Sequence, residues 1–384
     1  MKLKHLFFAG AAMLALVSCG GEQKAPESQL TKSGLDPEAF VAEYNGKQTQ
    51  LVTLTNASGM EVCVTNFGGR IVSIMVADKN GVDQDVVLGF DNVKAYFPEN
   101  NQTDFGAAIG RYANRINQGK FELDGETIQL PQNNFGHCLH GGPTGWQYQV
   151  YEVVDQTENS VKLLMDSPDL DNNFPGNMKA YVTYTLTDDN KIDIQYEATC
   201  DKPSIINMTN HSYFNLNGDP ENNIEDVLLT IHAEQFTPTD TTYMTTGEIL
   251  PVEGTPMDFR TAKPIGQDIN ADYAQTIGAN GYDHNWVLDT KGDITKPCTV
   301  AESQKTGIVL SVYTDEPGIQ IYSGNFLDGT CVGKKGITYN KRAAVCLETQ
   351  HYPDSPNKPE WPSVVLRPGE TYKSHTIFAF SVKK

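Results

Sequence analysis

Two short segments of this chain collect residues able to move protons near neutral pH. The first, Asn207-Met208-Thr209-Asn210-His211-Ser212-Tyr213-Phe214-Asn215-Leu216, sets one histidine among amides, hydroxyls and aromatic rings. An imidazole titrates near pH ~6.5, so it can give up a proton and recover it. The flanking Asn and Ser can fix its tautomer, and Tyr213 and Phe214 can give it a partly dry wall. The second segment, Cys346-Leu347-Glu348-Thr349-Gln350-His351-Tyr352-Pro353-Asp354, places Glu348 in an apolar strand end that runs from Ala343 through Leu347. A carboxylate held there is partly desolvated, which raises its pKa and strengthens it as a base. Taken singly, each has a plainer role: His211 as a capped loop histidine, Glu348 as an outward-facing acid on an edge strand. Taken together, one acid and one base on different loops of one scaffold suit proton transfer at two oxygens of one small polar molecule.

Other chemistries lack their signatures. The chain has no G-x-G-x-x-G after a strand, no Walker A sequence, no H-E-x-x-H and no G-x-S-x-G. Dinucleotide, nucleoside triphosphate, zinc-protease and α/β-hydrolase mechanisms therefore lose their usual support. Asp78-Lys79-Asn80-Gly81-Val82-Asp83 loosely follows a calcium loop but lacks the closing glutamate, and reads as a solvated hairpin turn. His137 and His140 flank Cys138. Neighbours on a strand face opposite ways and no further ligand is evident, so no metal site is expected.

The elements that must position these residues read as strands. From about residue 40 onward, short alternating stretches such as Gln50–Thr55, Val161–Met165, Ala180–Leu186 and Lys191–Tyr196 are rich in Val, Ile, Thr and Tyr at period two. Between such stretches lie the turn signals Asn45-Gly46, Asn80-Gly81, Asp124-Gly125 and Asp188-Asp189-Asn190. Sustained helical periodicity is scarce, and the strand spacing suits an all-β sandwich or barrel rather than βαβ units. Longer loops over residues 100–118, 133–147, 207–217, 236–262 and 346–363 are crowded with polar and charged side chains. Loops on a rigid β scaffold are where sites usually sit. The simplest organisation is one domain over residues 40–384.

The N-terminus is built differently. Lys2 and Lys4 precede an almost wholly apolar run from Leu6 to Val17, followed by Ser18-Cys19-Gly20. The run is too short to span a bilayer, and the pattern describes a secretory signal over residues 1–18. A cysteine just after Val-Ser resembles the bacterial lipobox, in which Cys19 is acylated and becomes the first mature residue. Residues 19–39 then read as a flexible tether. The expectation is an exported lipoprotein anchored to a membrane at Cys19, facing the periplasm or the cell surface. Net charge is −19 for the whole chain, and removing a leader with two lysines and no acid brings it to about −21. Such a surface repels phosphate backbones, which argues against nucleic-acid partners. The other six cysteines are widely and irregularly spaced with no C-x-x-C pair, and read as buried free thiols.

Six stretches then make the reading specific: Gly110-Arg111-Tyr112-Ala113-Asn114-Arg115-Ile116, Leu139-His140-Gly141-Gly142, Asn210–Leu216, Pro256-Met257-Asp258-Phe259-Arg260, Gly318–Asn325 and Leu347-Glu348-Thr349-Gln350. In this order and at these spacings the chain resembles the galactose mutarotase (aldose 1-epimerase) family over about residues 40–384. The resemblance implies a large antiparallel β-supersandwich that interconverts the α and β anomers of free aldohexoses such as glucose and galactose, a step of hexose metabolism. It implies His211 as general acid and Glu348 as general base. Asn114, Arg115 and His140 would hold sugar hydroxyls, with Tyr213 lining the pocket, Asp258 gripping hydroxyls opposite and Gln320 touching the sugar near Glu348. Two plainer readings stay open: Arg111 in place of Arg115, and Asp258 as a mere partner of Arg260. Ring opening and closure involve neither redox nor phosphate chemistry, so no cofactor and no metal are expected.

Overall fold

The alternating stretches become strands whose inward residues are apolar. In Met178–Leu186 the side chains of Met178, Ala180, Val182, Tyr184 and Leu186 are buried, while the residues between them are partly or fully exposed. The same period-two burial runs through Ser160–Ser167 and Lys191–Cys200. The turn signals fall where expected: Asp124-Gly125 joins Lys120–Leu123 to Glu126–Gln129, and Asp188-Asp189-Asn190 joins Met178–Leu186 to Lys191–Cys200. The Asp78–Asp83 stretch is a hairpin turn closed by Asp78 N to Val82 O at 2.8 Å.

The computed structural model describes residues 30–101 and 103–384. The expected leader over residues 1–18 and the expected lipidation site Cys19 lie outside the described residues, as does the first half of the expected tether. Among the described residues the strands form a nine-stranded antiparallel sheet, a six-stranded sheet, a four-stranded sheet and several two-stranded ladders. The nine-stranded sheet runs from Glu152–Gln156 at one edge to Lys263–Pro264 at the other, with Tyr372–Val382 in its middle. The six-stranded sheet carries, in order, Tyr213–Phe214, Val345–Gln350, Gly318–Tyr322, Asp283–Val287, Gln235–Thr237 and Leu250–Pro251.

Packing these sheets face to face makes the core. Val182, Ile194 and Phe378 of the nine-stranded sheet meet Phe214, Leu347, Ile319, Ile321 and Trp286 of the six-stranded sheet in one apolar cluster. Phe214 and Phe378 meet edge to face at 5.1 Å between ring centres. This is an all-β architecture, as the strand pattern predicts, and the antiparallel supersandwich that the family resemblance implies. One six-residue α-helix, Ala274–Ala279, occurs among the described residues.

One boundary moves. The tether expected over residues 19–39 is, from Thr31 on, part of the packed fold. Leu35 and Phe40 are buried, Lys32 N donates to Glu61 Oε1 at 2.8 Å, and Pro37–Phe40 forms a 3-10 turn capped by Asp36. Two apolar anchors outweigh the polar, Gly/Pro-containing composition on which the tether reading rested. All six cysteines after Cys19 are free, and all but the half-buried Cys331 are enclosed.

Candidate active site

Sheet register brings the acid and the base together. Tyr213 pairs with Cys346 and Phe214 with Val345. Continuing that register by two residues sets His211 across from Glu348, and His211 Nε2 stands 3.5 Å from Glu348 Oε1. On the next strand Glu348 faces Gln320 and Cys346 faces Tyr322. One strand further, Gln320 faces Asn285 and Tyr322 faces Asp283. Directly opposed residues share a face of a sheet. His211, Tyr213, Glu348, Gln320, Tyr322 and Asp283 therefore form one polar face, while their chain neighbours Phe214, Leu347, Ile319, Ile321 and Trp286 fill the core behind.

Two loops roof this face. The strand Arg115–Ile116 pairs with Cys138–Leu139, which draws Asn114 and His140 together. Asn114 N donates to His140 Nδ1 at 3.1 Å, so the proton of the neutral ring sits on Nε2. Asn114 and His140 both adopt left-handed backbone, with φ of 58° and 50°. For histidine that conformation is strained, and such strain persists where the surroundings hold a functional geometry. Close approach of the two loops depends on missing side chains. A Cβ on Gly141 would lie 2.2 Å from Gly110 O, and one on Gly110 would lie 1.9 Å from the Trp146 ring. Arg115 donates from Nη2 to Asn134 Oδ1 at 2.9 Å and lies over the Tyr243 ring. Arg111, the alternative in the same motif, points away: its guanidinium is spent on Ser167 Oγ and the carbonyls of Pro175 and Gly176.

Between face and roof lies a cavity of about 360 Å³. Asn114, Arg115, His140, His211, Tyr213 and Glu348, all predicted from sequence, line it together. So do Asp104, Asp283, Tyr322 and Phe326, which are not among the site residues predicted from sequence. Gln320 stands behind the wall, donating to Asp283 Oδ1 at 2.7 Å. Asp258 is the exception: the structure puts it elsewhere. Both its carboxylate oxygens are engaged by Arg260, at 3.0 and 2.8 Å, beside a separate recess. Met257 and Phe259 turn inward and force the acid between them outward. Asp283 is the carboxylate across the cavity from the roof. Its signal was present in the alternation of Asp283-His284-Asn285-Trp286, which puts Asp283 on the face away from the core.

The electrostatics follow from burial. His211 is stacked on Tyr213 at 5.1 Å and met edge-on by His140 at 5.2 Å. Burial pulls the His211 imidazole down to about 3 and drives His140 well below its ordinary value. Burial lifts Glu348 well above the usual carboxylate range, with the charges of Asp283 and Asp104 adding and Arg115 opposing. Asp283 is likewise raised by burial. His211 Nδ1, Glu348 Oε2, Gln320 Oε1 and Asp104 Oδ1 are buried with no hydrogen-bond partner among the described residues. Orphaned polar atoms are rare in folded proteins, and four around one cavity mark a place where a polar ligand completes the bonding. His211 also belongs to two groups of potential metal donors, Asp104–His140–His211 and His211–Cys346–Glu348, each with its donor atoms within 4.8 Å of one another.

Comparison with known proteins gives a consistent assignment. The sequence model of the aldose 1-epimerase family matches residues 50–379. Galactose mutarotase of Mus musculus is 42% identical over 323 residues, 84% of this chain and 92% of the mouse protein. Aldose 1-epimerase of Escherichia coli K12 is 39% identical over 338 residues, 88% of this chain and 96% of its own. Among solved structures, an aldose epimerase homologue from C. elegans superposes with a TM-score of 0.81 at 34% identity, covering 88% of this chain and all of that one. Galactose 1-epimerase from Lactobacillus acidophilus superposes at 0.78 with 28% identity, covering 89% of this chain and 97% of its own. The chain belongs to the aldose 1-epimerase family, and it is an enzyme that interconverts the anomers of aldoses.

Proposed function

We propose that His211 and Glu348 are the acid and base of this reaction and that the substrates are free aldohexoses such as galactose and glucose. The observation that carries the assignment is the 3.5 Å approach of His211 Nε2 to Glu348 Oε1 at the cavity wall. Burial favours the neutral form of each group, so when the empty pair holds a single proton it resides on Glu348. A bound sugar and the Arg115 charge favour its transfer to His211, which leaves a carboxylate beside an imidazolium. Glu348 then takes the proton of the anomeric hydroxyl while His211 protonates the ring oxygen. The bond from C1 to the ring oxygen breaks and the C1 carbonyl forms. Rotation about C1–C2 presents the other carbonyl face, and the reverse transfers close the other anomer. No proton is gained or lost over the cycle.

Arg115, Asn114 and His140 supply donors to the sugar from the roof, and Asp283, held by Gln320, accepts from hydroxyls opposite. The Tyr213, Tyr322 and Phe326 rings offer apolar faces to the carbon skeleton. Polarimetry on fresh α-galactose and α-glucose tests the assignment. Wild-type protein should speed the approach to the equilibrium rotation, and Glu348→Gln or His211→Asn should remove about 10²–10⁴-fold of that acceleration. Full activity in either variant would refute it.

The sequence further supports export. In this reading residues 1–18 are a cleaved leader, Cys19 carries the lipid, and a shortened tether of about ten residues leads to the folded unit. Phase partition in a detergent such as Triton X-114 should place the expressed full chain in the detergent phase and Cys19→Ala in the aqueous phase. Equal partitioning of the two would refute the anchor.

A further inference from the structure

Asp104 is a carboxylate at the edge of the site whose Oδ1 has no hydrogen-bond partner among the described residues. It precedes the strand Ala107–Ile109, which pairs with Thr209–His211 and so runs alongside the acid. Arg70 fixes the peptide around it: Nη1 donates to Thr103 O at 3.1 Å and to Phe105 O at 2.9 Å, one carbonyl on either side of Asp104. Nη2 is taken by Gln147 O at 2.7 Å, so this buried guanidinium is spent on carbonyls. Asp104 O accepts from Ala107 N at 3.0 Å. The side chain is thereby held in the cavity wall with Oδ1 enclosed and unpartnered. A buried carboxylate oxygen left without a donor carries a desolvation cost that a ligand hydroxyl would relieve. Burial lifts this acid to about 6, with the nearby Arg70 charge opposing the shift.

Position indicates which hydroxyl. His211 is common to two side-chain triplets, one with Asp104 and His140 and one with Cys346 and Glu348. On the acid–base reading above, Glu348 addresses the hydroxyl on C1 and His211 the ring oxygen. A pyranose ring oxygen is bonded to C1 and to C5. The side chains that crowd His211 in the triplet without Glu348 therefore meet what C5 carries. In an aldohexose that is a hydroxymethyl group. Aldopentoses have a hydrogen there, uronic acids a carboxylate, and hexose 6-phosphates a phosphate ester.

We propose that Asp104 is a specificity residue that accepts a hydrogen bond from the exocyclic hydroxymethyl of the sugar and repels sugars bearing an anion at that carbon. The inference rests on the acid–base assignment of His211 and Glu348. A hydrogen bond to a buried charge contributes enough for about 10- to 100-fold discrimination. The charge that accepts from a neutral hydroxyl also opposes a second anion in the same low-dielectric wall.

The test is the ratio of kcat/KM for galactose to that for 6-deoxygalactose, measured within one variant so that the fraction of folded enzyme cancels. Wild type should prefer galactose by about 10-fold or more. Asp104→Ala should bring the ratio to within about twofold of unity by slowing galactose alone. Asp104→Asn, nearly isosteric, should keep part of the preference yet raise kcat/KM for galacturonate by about 10-fold or more. A ratio unchanged from wild type in Asp104→Ala, with galacturonate no better a substrate of Asp104→Asn, would overturn the proposal while leaving the acid–base assignment standing. His211→Asn turning over both neutral sugars at wild-type rates would overturn that assignment and this proposal together.

Discussion

Glu348 is met on one side by His211, from the adjoining strand Thr209–His211, and faces Gln320 across the six-stranded sheet on the other, so its carboxylate lies between the two. Strands held in register by backbone hydrogen bonds fix such an arrangement better than loops do, and fixed geometry is the larger part of what a proton-transfer site needs. The roof residues are held by different means: a left-handed backbone at Asn114 and His140, and two glycines that let the loops touch.

The pH dependence should be broad. On the proposed mechanism the pair works with one shared proton and fails when it takes up a second or loses the one it has. His211 is depressed by burial, so the second proton binds below the ordinary imidazole range. Glu348 is raised by burial and by Asp283, so the shared proton leaves above the ordinary carboxylate range. A kcat/KM profile should show its acid limb, set by His211, below pH ~6.5, and its alkaline limb, set by Glu348, displaced upward from the ordinary carboxylate range. Asp283→Asn should move the alkaline limb to lower pH, because it removes a charge that holds the Glu348 proton. An alkaline limb that stays in place would count against that coupling.

The two aspartates give opposite expectations. Asp283→Asn should lower kcat/KM for galactose by about 10- to 100-fold, the scale of a hydrogen bond to a charged group. Asp258→Asn should leave it within about twofold, because Asp258 is occupied by Arg260 away from the cavity. Steady-state kinetics on both variants decide the matter, and a larger loss in Asp258→Asn would reverse the assignment.

Gly110→Ala should cost about 3 kcal/mol or more, because the added methyl would sit 1.9 Å from the fully buried Trp146 ring. The same loop carries Asn114 and Arg115, so catalysis should fall with stability. Chemical denaturation and kinetics on the purified variant check both. A midpoint within error of wild type would mean that the loop has slack the packing does not show.

Away from the site, His351 Nδ1 lies 2.6 Å from Glu316 Oε2, with both side chains largely enclosed. Burial opposes the imidazolium, but the Glu316 charge and hydrogen bond outweigh it and hold His351 above its ordinary value. A raised histidine contributes stability that is fully present below the unfolded pKa of about 6.5 and is lost as pH rises through the folded value. Glu316→Gln should therefore destabilise the fold by about 3 kcal/mol at pH ~6 and by much less at pH ~9. Urea unfolding at the two values tests this, and an equal cost at both would show that the pair stays uncharged.

Much of this was legible in the sequence, for physical reasons. Strands with clean alternation, such as Ala180–Leu186, and turns built on Asp-Gly or Asn-Gly carry their structure locally. His211 and Glu348 stood out because each sits among residues that alter its proton affinity. Arg115 and Arg111 share one motif, and only the fold shows that Arg111 is consumed by carbonyls some sixty residues downstream. Asp283 and Asp104 were passed over because their meaning is long-range. One is read from its register against Tyr322, the other from its place beside His211. Asp258 misled because its motif is shared with the family while its carboxylate is taken up by a neighbour two residues away. Leu35 and Phe40 show the same limit at the start of the fold, where two apolar side chains in a polar stretch were enough to dock it.

The central claim is that one proton is shared and relayed between two side chains, and a double-mutant cycle tests it most directly. Mutarotation rates should be measured for His211→Asn, Glu348→Gln and the double variant under one set of conditions. If the pair works as a unit, the double variant should be no slower than the slower single variant, to within about threefold. Losses that multiply, or a single variant that keeps the wild-type rate, would contradict the account.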